Sequence, residues 1–275
     1  MYQIVKVLNN NALLVSSDEL NTESILLGKG IGFGRKSGQR IDYKEDVKEY
    51  RLEKNDGRTA WIGTDEGIEP VYLEAAGKII DEARQVFEDI HSGILLPLAD
   101  HIAFAAKRTK ANEFVPNPFI PDIKGLFGRE YAVAIKCKDA IKELAGYEIT
   151  DDEAGFIALH IHSGLSNEQA SETLKYTQII NECVHMISKL TEKIVEDDES
   201  LTYSRLLSHL YYMVLRTKRG QAVNICLNEF MQQQYMRAYT IASEICLYME
   251  KRLELSMDPM EKGYLAVHIE RYLTE

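Results

Sequence analysis

The sequence predicts a multidomain protein, in which a small antiparallel all-β N-terminal domain is followed by two homologous all-α helical-bundle domains. Three observations support this fold class. Residues 1–55 alternate short apolar runs with Asn and Gly turns, which is typical of short strands. The rest of the chain carries apolar residues at helical spacing. Two helical segments recur at one fixed offset, which indicates an internal duplication.

The N-terminal domain, predicted over residues 1–55, begins with two apolar runs, Tyr2–Val7 and Ala12–Val15, on either side of three asparagines. A third run, Ser24–Leu27, leads into a segment with glycine at every second position from 28 to 34. This alternation predicts a strand that allows close backbone approach, and it does not extend into the GxGxxG pattern of a phosphate loop. A core this small is marginal, so we expect dimerisation through the sheet.

The helical part is predicted to follow a linker at 56–72 and to form two modules, at 73–171 and 176–275. Apolar residues in Lys78–His91 recur near the 3.6-residue period of a helix. Proline fixes the backbone and removes a hydrogen-bond donor, so a cluster of prolines predicts an irregular loop inside the first module. These prolines are Pro116, Pro118 and Pro121.

The repeated segments each keep a histidine. Asp100–Arg108 aligns with Ser208–Arg216, and Gly155–Ile161 aligns with Gly263–Ile269, both at the same offset along the chain. The spacing between the two histidines is therefore identical in the two copies. Because the other side chains differ between the copies, we interpret the imidazoles as the functional groups. The four residues are His101, His160, His209 and His268.

Helix-start signals recur at the same offset. Thr150–Glu153 has the pattern of a capping box, in which an N-cap hydroxyl and a glutamate three residues later satisfy the first backbone donors. Asp258–Glu261 supplies an N-cap aspartate, a proline at the first helical position and a glutamate at the third. The same kind of cap before the same histidine supports two copies of one module.

Charge is unevenly distributed along the chain, whose formal net charge is −11. Residues 1–55 hold nine Lys/Arg and eight Asp/Glu, whereas the remainder holds 23 and 35. Such an asymmetry between parts of a chain is a hint about its partners and not about its fold.

No feature of the sequence indicates secretion or membrane insertion, because there is no signal peptide and no apolar run of roughly 18–20 residues. We therefore expect a cytoplasmic protein. The cysteines form no CxxC pair, and we interpret them as buried free thiols on helices. They are Cys137, Cys183, Cys226 and Cys246.

A lone histidine on an apolar helix is by default a structural residue, but four at repeat-equivalent positions raise three active alternatives. Metal binding is disfavoured because the sequence has no recurring carboxylate or thiolate ligands and no HExxH motif. Acid–base catalysis is disfavoured because the sequence has no GxSxG motif, no P-loop and no Rossmann fingerprint. Reversible phosphorylation needs only a neutral imidazole nitrogen, and it would add well over one negative charge. No catalytic residue, metal ligand set or cofactor is predicted.

Arg108 and Arg216 each follow the first histidine of a copy by seven residues, which is two turns along the same helix face. They are candidate partners of a phosphate, although an ordinary surface role is equally open. The three other histidines have no counterpart in the repeat and are interpreted as structural or surface residues. They are His91, His162 and His185.

The N-terminal segment has features that suit a polar ligand with flat faces. Phe33 is suited to stacking on a base, and Asn9–Asn11 to hydrogen bonds with base edges or sugars. The alternative to RNA contacts is that the asparagines form an ordinary turn and that Phe33 belongs to the core, and the sequence supports both interpretations equally. No helix-turn-helix pattern is visible, which disfavours DNA. The basic residues available for phosphates are Lys6, Lys29, Arg35 and Lys36.

On these residues the chain resembles the BglG/SacY family of bacterial transcriptional antiterminators. Lys6–Asn11 and Gly28–Gly38 are similar to that family's N-terminal RNA-binding (co-antiterminator, CAT) domain. The remainder is similar to two phosphotransferase-system regulation domains (PRDs). The matches to the first PRD are Asp100–Ile102 and Ala158–His162, and the looser matches to the second are Ser208–His209 and Leu265–His268. The glycine-rich motif and the first histidine segment are most similar to the glucose-type branch, and β-glucoside or sucrose regulators remain open.

The resemblance implies a switch and not an enzyme. Family members dimerise through the N-terminal domain and bind a hairpin in the leader mRNA of a sugar-uptake operon, which prevents termination. His101 and His160 would receive phosphate from a sugar-specific enzyme II, which inactivates the protein. His209 and His268 would receive it from the phosphocarrier HPr, which favours the active dimer or adds catabolite control. The implied RNA contacts are Lys6, Asn9, Asn10, Asn11, Gly28, Lys29, Gly30 and Phe33.

The second PRD departs most from the family pattern, because Ser208 stands where an aspartate precedes the histidine in the first. If that aspartate orients the imidazole, His209 is a less certain phosphate acceptor than His101. Two other functions remain open. One is a DNA-binding activator with the same regulatory domains, and the other is an α-helical metalloenzyme.

Overall fold

A computed structural model describes residues 1–17, 23–42, 47–55, 58–61, 68–166, 168–193 and 201–274. The chain forms two compact units, one of residues 1–117 with 129–170 and the other of residues 118–128 with 171–275. No helix in these ranges is long and apolar enough to cross a membrane.

The N-terminal part of the first unit is an antiparallel sheet. Its described strands follow the order β4-β1-β2-β3-β5-β6. Their bounds are β1 Tyr2–Asn9, β2 Ala12–Ser17, β3 Glu23–Leu27, β4 Arg40–Ile41, β5 Lys48–Asn55 and β6 Arg58–Trp61. The three predicted strands and the asparagine turn between the first two are confirmed. Alternate side chains of these strands bury one apolar core, whose buried members include Ile4, Leu13, Val15 and Leu26.

Two predictions about the N-terminal part are wrong. The predicted linker at 56–72 contains strand β6, which pairs with β5, and the first residues of a helix that begins at Pro70. The glycine-rich segment at 28–34 is not a strand but a series of turns. Gly30 and Gly34 have φ angles of +70° and +68°, a left-handed conformation that bends the chain out of the sheet.

The first module contributes five helices. They are α1 Pro70–Val86, α2 Leu95–Lys110, α3 Ile120–Lys136, α4 Lys138–Ala145 and α5 Asp151–Ser166. The predicted irregular loop lies between α2 and α3, although Pro121 already belongs to the first turn of α3. A Cβ added at Gly77 of α1 would lie 2.6 Å from the carbonyl oxygen of Leu8, so glycine allows α1 to pack closely against β1.

The second module repeats this pattern. Its helices are α6 Ala170–Thr191, α7 Leu201–Lys218, α8 Asn228–Gln234, α9 Met236–Leu253 and α10 Glu261–Thr274. Helix α3 is interrupted at Phe127, with φ −126° and ψ 38°, and α8 and α9 are separated at Tyr235, with φ −136° and ψ 53°. The offset between these two breaks equals the offset between His101 and His209, so the backbone repeats the duplication inferred from the histidines.

Residues 118–128 pack within the second compact unit. Asp122 is buried there and accepts hydrogen bonds from Asn181 Nδ2 at 2.9 Å and from the Tyr203 hydroxyl at 3.1 Å. Burial raises the pKa of Asp122. The prediction that all four cysteines are buried on helices is wrong for Cys226, which is exposed in the loop before α8.

Candidate functional site: two histidine pairs and an N-terminal loop surface

The first histidine pair lies between α2 and α5. The ring centroids of His101 and His160 are 5.1 Å apart, and His101 also contacts the ring of Phe156 at 5.9 Å. Two residues that are distant in the chain are therefore neighbours in space.

The second pair has the same arrangement between α7 and α10. The rings of His209 and His268 stack with centroids 4.3 Å apart, and His209 lies nearly parallel to Tyr264 at 6.5 Å. Tyr264 is the repeat equivalent of Phe156, so an aromatic ring next to the first histidine belongs to the duplicated site.

A buried glutamate completes each site. Glu153 Oε1 accepts a hydrogen bond of 2.7 Å from Arg108, and its Oε2 lies 3.0 Å from His101 Nε2. Glu261 binds Arg216 through two bonds, from Nε at 2.6 Å and from Nη2 at 2.9 Å. Each site is therefore an Arg–Glu pair beside two histidines, and the arginine and glutamate have the same sequence separation in both copies.

The two sites differ in how the glutamate is used. In the first, the carboxylate is shared between an arginine and a histidine, whereas in the second both oxygens bind the arginine. Among the described residues, three buried imidazole nitrogens have no hydrogen-bond partner, namely His101 Nε2, His160 Nδ1 and His209 Nε2, although His101 Nε2 lies 3.0 Å from Glu153 Oε2. A buried polar atom without a partner is unfavourable, and it is typical of sites that receive a group.

Burial and neighbouring charge favour the neutral form of His160 and of His209. Burial lowers the pKa of His160 far below its usual value, and His101 adds to the effect. Burial also lowers the pKa of His209, with smaller contributions from His268 and Arg216. A neutral imidazole keeps a lone pair on one ring nitrogen, which a nucleophile needs.

The carboxylate of the first site is held in its charged form. Burial alone would raise the pKa of Glu153, but contacts with His101 and Arg108 outweigh that effect and lower the pKa below its usual value. The negative charge therefore stays beside the histidine that would accept a phosphate.

The three remaining histidines have other neighbours. His162 Nδ1 is 3.0 Å from Glu130 of α3, so His160 and His162 face different neighbours. His91 Nδ1 accepts a hydrogen bond of 3.0 Å from the backbone of Gly93. His185 is close to the carboxylate of Asp122. It lowers the pKa of Asp122, whereas burial raises that pKa and is the larger effect.

The predicted RNA contacts lie on two segments that the backbone holds together. Gly28 N donates to Asn11 O at 3.0 Å, and Gly32 N donates to Asn10 O at 3.0 Å. The Oδ1 of Asn11 accepts a hydrogen bond of 2.5 Å from Gly30 N. The asparagine turn and the glycine-rich turns therefore form one loop surface.

The residues of this loop surface have different surroundings. Phe33 has 75% of its surface exposed, so the alternative that it belongs to the core is wrong. Asn10, Lys29 and Gly30 are exposed as well. Asn9 is buried, and its Oδ1 accepts a hydrogen bond of 2.8 Å from Asn11 N, so its side chain holds the turn.

Lys6 of β1 has a partner inside the chain. Its ammonium forms an ion pair with Glu74 of α1, and both side chains are partly exposed. In this conformation an acidic side chain of the helical part occupies one of the predicted RNA contacts.

Comparison with known protein families divides the chain in the same way. Residues 2–59 match the CAT RNA binding domain, and residues 78–164 and 178–272 match the PRD domain. The chain belongs to the BglG/SacY family of transcriptional antiterminators. This family consists of regulatory RNA-binding proteins and not of enzymes.

Curated antiterminators match over nearly their whole length. The GlcA/glcB genes antiterminator of Staphylococcus carnosus is 29% identical over 278 residues, which are 98% of this chain and 96% of the relative. The protein GlcT of Staphylococcus haemolyticus is 30% identical over 276 residues, at 98% and 95% coverage. The transcription antiterminator LicT of Bacillus subtilis is 29% identical over 277 residues, at 99% of each chain.

Among solved structures, the crystal structure of GlcT CAT-PRDI is 32% identical to this antiterminator. It covers 60% of this chain and 99% of its own, with a TM-score of 0.39.

Two residues of the PRD sites were not predicted as site residues. Glu153 and Glu261 occupy the third helical position after the predicted N-cap residues. In the first copy, the Thr150 hydroxyl accepts a hydrogen bond of 3.2 Å from Glu153 N, as a cap requires. Their side chains, however, turn to the arginines. The signal that would have found them is present in the sequence, since each glutamate follows the arginine of its copy at the same separation.

The PRD sites do not have the composition of a metal centre. Within the described ranges, no group of three or more His, Cys, Asp or Glu side chains is arranged to hold a metal ion. Each site combines two imidazoles with a carboxylate that is already bound to an arginine.

Proposed function

We propose that this antiterminator binds, as a homodimer, a hairpin in the leader mRNA of a sugar-uptake operon, and that phosphorylation of its PRD histidines controls the binding. The observation that carries the proposal is the same Arg–Glu–His–His site in both modules, at repeat-equivalent positions. The CAT domain supplies the RNA-binding surface, and the acidic modules carry the regulation.

The loop surface of the CAT domain supports RNA as the partner. Phe33 offers a stacking face, while Asn10 and Lys29 offer polar and cationic groups beside it. The glycines of these turns have no side chain, which allows a phosphate or a base to approach the backbone closely. An RNA hairpin has a stem that proteins recognise by its shape and unpaired bases in its loop or bulges. Aromatic, polar and cationic side chains of this kind bind such bases.

The chemistry at each PRD is transfer of a phosphoryl group to an imidazole. A neutral ring nitrogen attacks phosphorus, a nitrogen–phosphorus bond forms, and the bond between phosphorus and its donor breaks. No oxidant and no cofactor takes part. The arginine of the site is suited to bind the new charge through charge-assisted hydrogen bonds.

The donors are proposed from the family resemblance. The protein would act in the cytoplasm. A sugar-specific enzyme II would phosphorylate His101 and His160 when sugar is absent, and this phosphorylation would inactivate the protein. HPr would phosphorylate His209 and His268 and so favour the active dimer. Moving such a switch from mostly inactive to mostly active takes roughly 5 kcal/mol, which a few charge-assisted contacts supply.

Transcription past the leader of a sugar-uptake operon tests the proposal. A strain that carries His101→Ala and His160→Ala should show readthrough with and without sugar, because the inhibitory charge cannot be added. His91→Ala, which alters a histidine outside both pairs, is the matched control and should keep sugar control. Continued sugar dependence of the double variant, at wild-type protein levels, would refute inhibition through this pair.

A further inference from the structure

The carboxylate of Glu153 meets one particular nitrogen of His101. Its Oε2 lies 3.0 Å from Nε2 of that ring, while its Oε1 is bound to Arg108. Burial raises the pKa of Glu153, but the contacts with His101 and Arg108 outweigh burial and lower the pKa below its usual value. A negatively charged oxygen therefore faces Nε2 at neutral pH.

This contact decides which nitrogen of the neutral His101 ring carries the proton. A carboxylate oxygen only accepts hydrogen bonds, so at 3.0 Å it repels a lone pair on Nε2 and attracts a proton there. A neutral imidazole has a single N–H, and a partner at one nitrogen leaves the lone pair on the other. The nucleophilic lone pair of His101 is therefore on Nδ1.

The accessible part of the ring agrees with this assignment. Nε2 of His101 is buried, although 18% of the side chain is exposed. The rings of Phe156 and His160 lie beside the imidazole, with centroids 5.9 Å and 5.1 Å away. A phosphoryl donor therefore reaches the ring along an edge other than the one at Nε2, and Nδ1 is the other nitrogen.

Asp100, which precedes His101, is the other carboxylate near the ring. Burial raises its pKa, and His101 and Lys107 lower it by smaller amounts. The carboxylate oxygen in contact with a ring nitrogen, however, is that of Glu153. The group that orients the imidazole is thus supplied by α5 and not by the residue next to the histidine.

The second module uses its glutamate differently. Both oxygens of Glu261 bind Arg216. Nε2 of His209 is buried, and among the described residues it has no hydrogen-bond partner. Glu261 therefore does not fix a proton on His209 in the way that Glu153 fixes one on His101.

We propose that Glu153 is the positioning residue of the first site and that it directs the phosphoryl group to Nδ1 of His101. The inference rests on the proposed function and specifies the accepting atom. The Nδ1 lone pair attacks phosphorus, a nitrogen–phosphorus bond forms, and the bond from phosphorus to its donor breaks, with its electron pair leaving on the donor. The proton on Nε2 stays on the ring, and the carboxylate balances the positive charge that the ring acquires, as in a catalytic triad.

The isomer of phosphohistidine at His101 tests the proposal. The full chain is labelled with phosphoramidate, a small donor that can approach either nitrogen, and is digested at alkaline pH. Phosphorus NMR of the peptide that contains His101 assigns the phosphate to Nδ1 or Nε2. In the wild type the Nδ1 isomer should exceed the Nε2 isomer at least about tenfold, the factor that a contact with a charged group supplies. An equal mixture, or an excess of the Nε2 isomer, would overturn the proposal.

Two substitutions of glutamate by glutamine separate positioning from a general effect of buried charge. The amide of Glu153→Gln either donates or accepts, so both tautomers of His101 fit and the two isomers should form in comparable amounts. Glu130→Gln is the matched control, because Glu130 is also buried and lies 3.0 Å from His162, outside the pairs. It should keep the wild-type ratio. An unchanged ratio in Glu153→Gln, or the same shift in both variants, would overturn the proposal.

Arg108→Gln separates the carboxylate from its ion pair. This variant loses the bond to Glu153 but keeps the carboxylate beside His101. Labelling of His101 should slow, because the arginine no longer binds the incoming phosphate, while the product stays on Nδ1. A product on Nε2 would show that the ion pair sets the nitrogen, and would overturn the role of Glu153. The wild-type ratio needs no substitution, so the proposal remains falsifiable if a variant does not fold.

The proposed function fails in a different way. If phosphoenolpyruvate, enzyme I, HPr and a sugar-specific enzyme II leave all four histidines of the wild type unlabelled, the proposed function falls and the inference falls with it. If these proteins label His101 and the phosphate is on Nε2, only the inference falls. Label that reaches His160 and never His101 would likewise overturn the inference alone.

Discussion

Arg216 binds both carboxylate oxygens of Glu261, through Nε at 2.6 Å and Nη2 at 2.9 Å. In the first PRD, Arg108 binds one oxygen of Glu153, and the other oxygen is 3.0 Å from His101. A phosphoryl group on the first histidine would add negative charge next to this carboxylate and would compete with it for the arginine. Because each glutamate lies in the first turn of the helix that carries the second histidine, its release would disturb that helix end.

The Arg–Glu pair of the second module should contribute to its stability. Glu261→Gln removes the charge but keeps the shape, and it leaves the Arg216 guanidinium without its ionic partner. We expect the free energy of unfolding to fall by about 2 kcal/mol. Breaking a fully buried ion pair costs about 3–5 kcal/mol, and the loss is smaller here because Arg216 is partly exposed. Thermal unfolding followed by circular dichroism measures the change.

The matched control for this substitution is Glu244→Gln, which makes the same change on the exposed side of α9. Its midpoint should stay at the wild-type value. If Glu261→Gln and Glu244→Gln unfold at the same temperature, the buried pair does not stabilise the module.

The histidine pairs should make stability depend on pH. Burial lowers the pKa of His160 and His209 in the folded chain, whereas the unfolded chain titrates near 6.5. Below about pH 6.5 the unfolded chain therefore binds protons that the folded chain does not, so stability falls as the pH falls. The unfolding midpoint should decrease between pH 7 and pH 5.

His209→Gln should show a smaller decrease over this pH range than the wild type, since one of the depressed groups is gone. His91→Gln changes a histidine outside both pairs and should keep the wild-type decrease. Identical pH profiles for His209→Gln and the wild type would show that His209 titrates normally in the folded chain.

The loop surface depends on a close contact at Gly32. A Cβ at this position would lie 2.1 Å from the carbonyl oxygen of Asn9, so Gly32→Ala must displace the backbone. We expect a loss of about 1–3 kcal/mol in stability and weaker hairpin binding. Gly128→Ala adds a methyl group in helix α3 that meets no neighbouring element within 4 Å, and it should leave hairpin binding in a gel-shift titration unchanged and should not lower the midpoint of a thermal scan.

Phe33 should contribute to RNA binding without contributing to stability. Its ring is exposed, so Phe33→Ala should leave the unfolding midpoint unchanged and weaken hairpin binding about tenfold, the effect of about 1–3 kcal/mol for one stacked base. Phe114→Ala removes an exposed ring from the helical part and should leave the affinity unchanged. Equal affinities of Phe33→Ala and the wild type would rule out stacking.

Lys6 should bind RNA more strongly once its partner in the helical part is removed. Glu74→Gln breaks the ion pair with Lys6 and frees the ammonium for a phosphate. A partly exposed pair contributes about 0.2–1 kcal/mol, so we expect the affinity to rise by a factor of about 1.4 to 5. Lys6→Gln in the same background should abolish the gain, and its persistence would mean that Glu74 acts by another route.

Much of the fold follows from local patterns. The alternation in residues 2–27 and the helical period after residue 70 determine the strands and helices, because each pattern buries one face. The duplication was visible in the histidines and extends to the breaks at Phe127 and Tyr235. The linker was mispredicted because Arg58–Trp61 is a short strand, whose pairing with β5 no local pattern reveals.

The candidate sites were predictable only in part. The four histidines stood out because they recur, but Glu153 and Glu261 were first interpreted as caps, a role that local sequence explains equally well. The glycine-rich segment alternates like a strand, although left-handed backbone at Gly30 and Gly34 bends it into turns. The pairing of Lys6 depends on α1, which is distant in the sequence.

Phosphate mapping tests the central claim most directly. The full chain is incubated with phosphoenolpyruvate, enzyme I, HPr and a sugar-specific enzyme II, and acid-labile phosphate is located by mass spectrometry of peptides kept at alkaline pH. We predict phosphate on His101 or His160 that depends on the enzyme II, and on His209 or His268 that depends on HPr. A protein that carries no phosphate on any of these four rings would contradict the proposed switch.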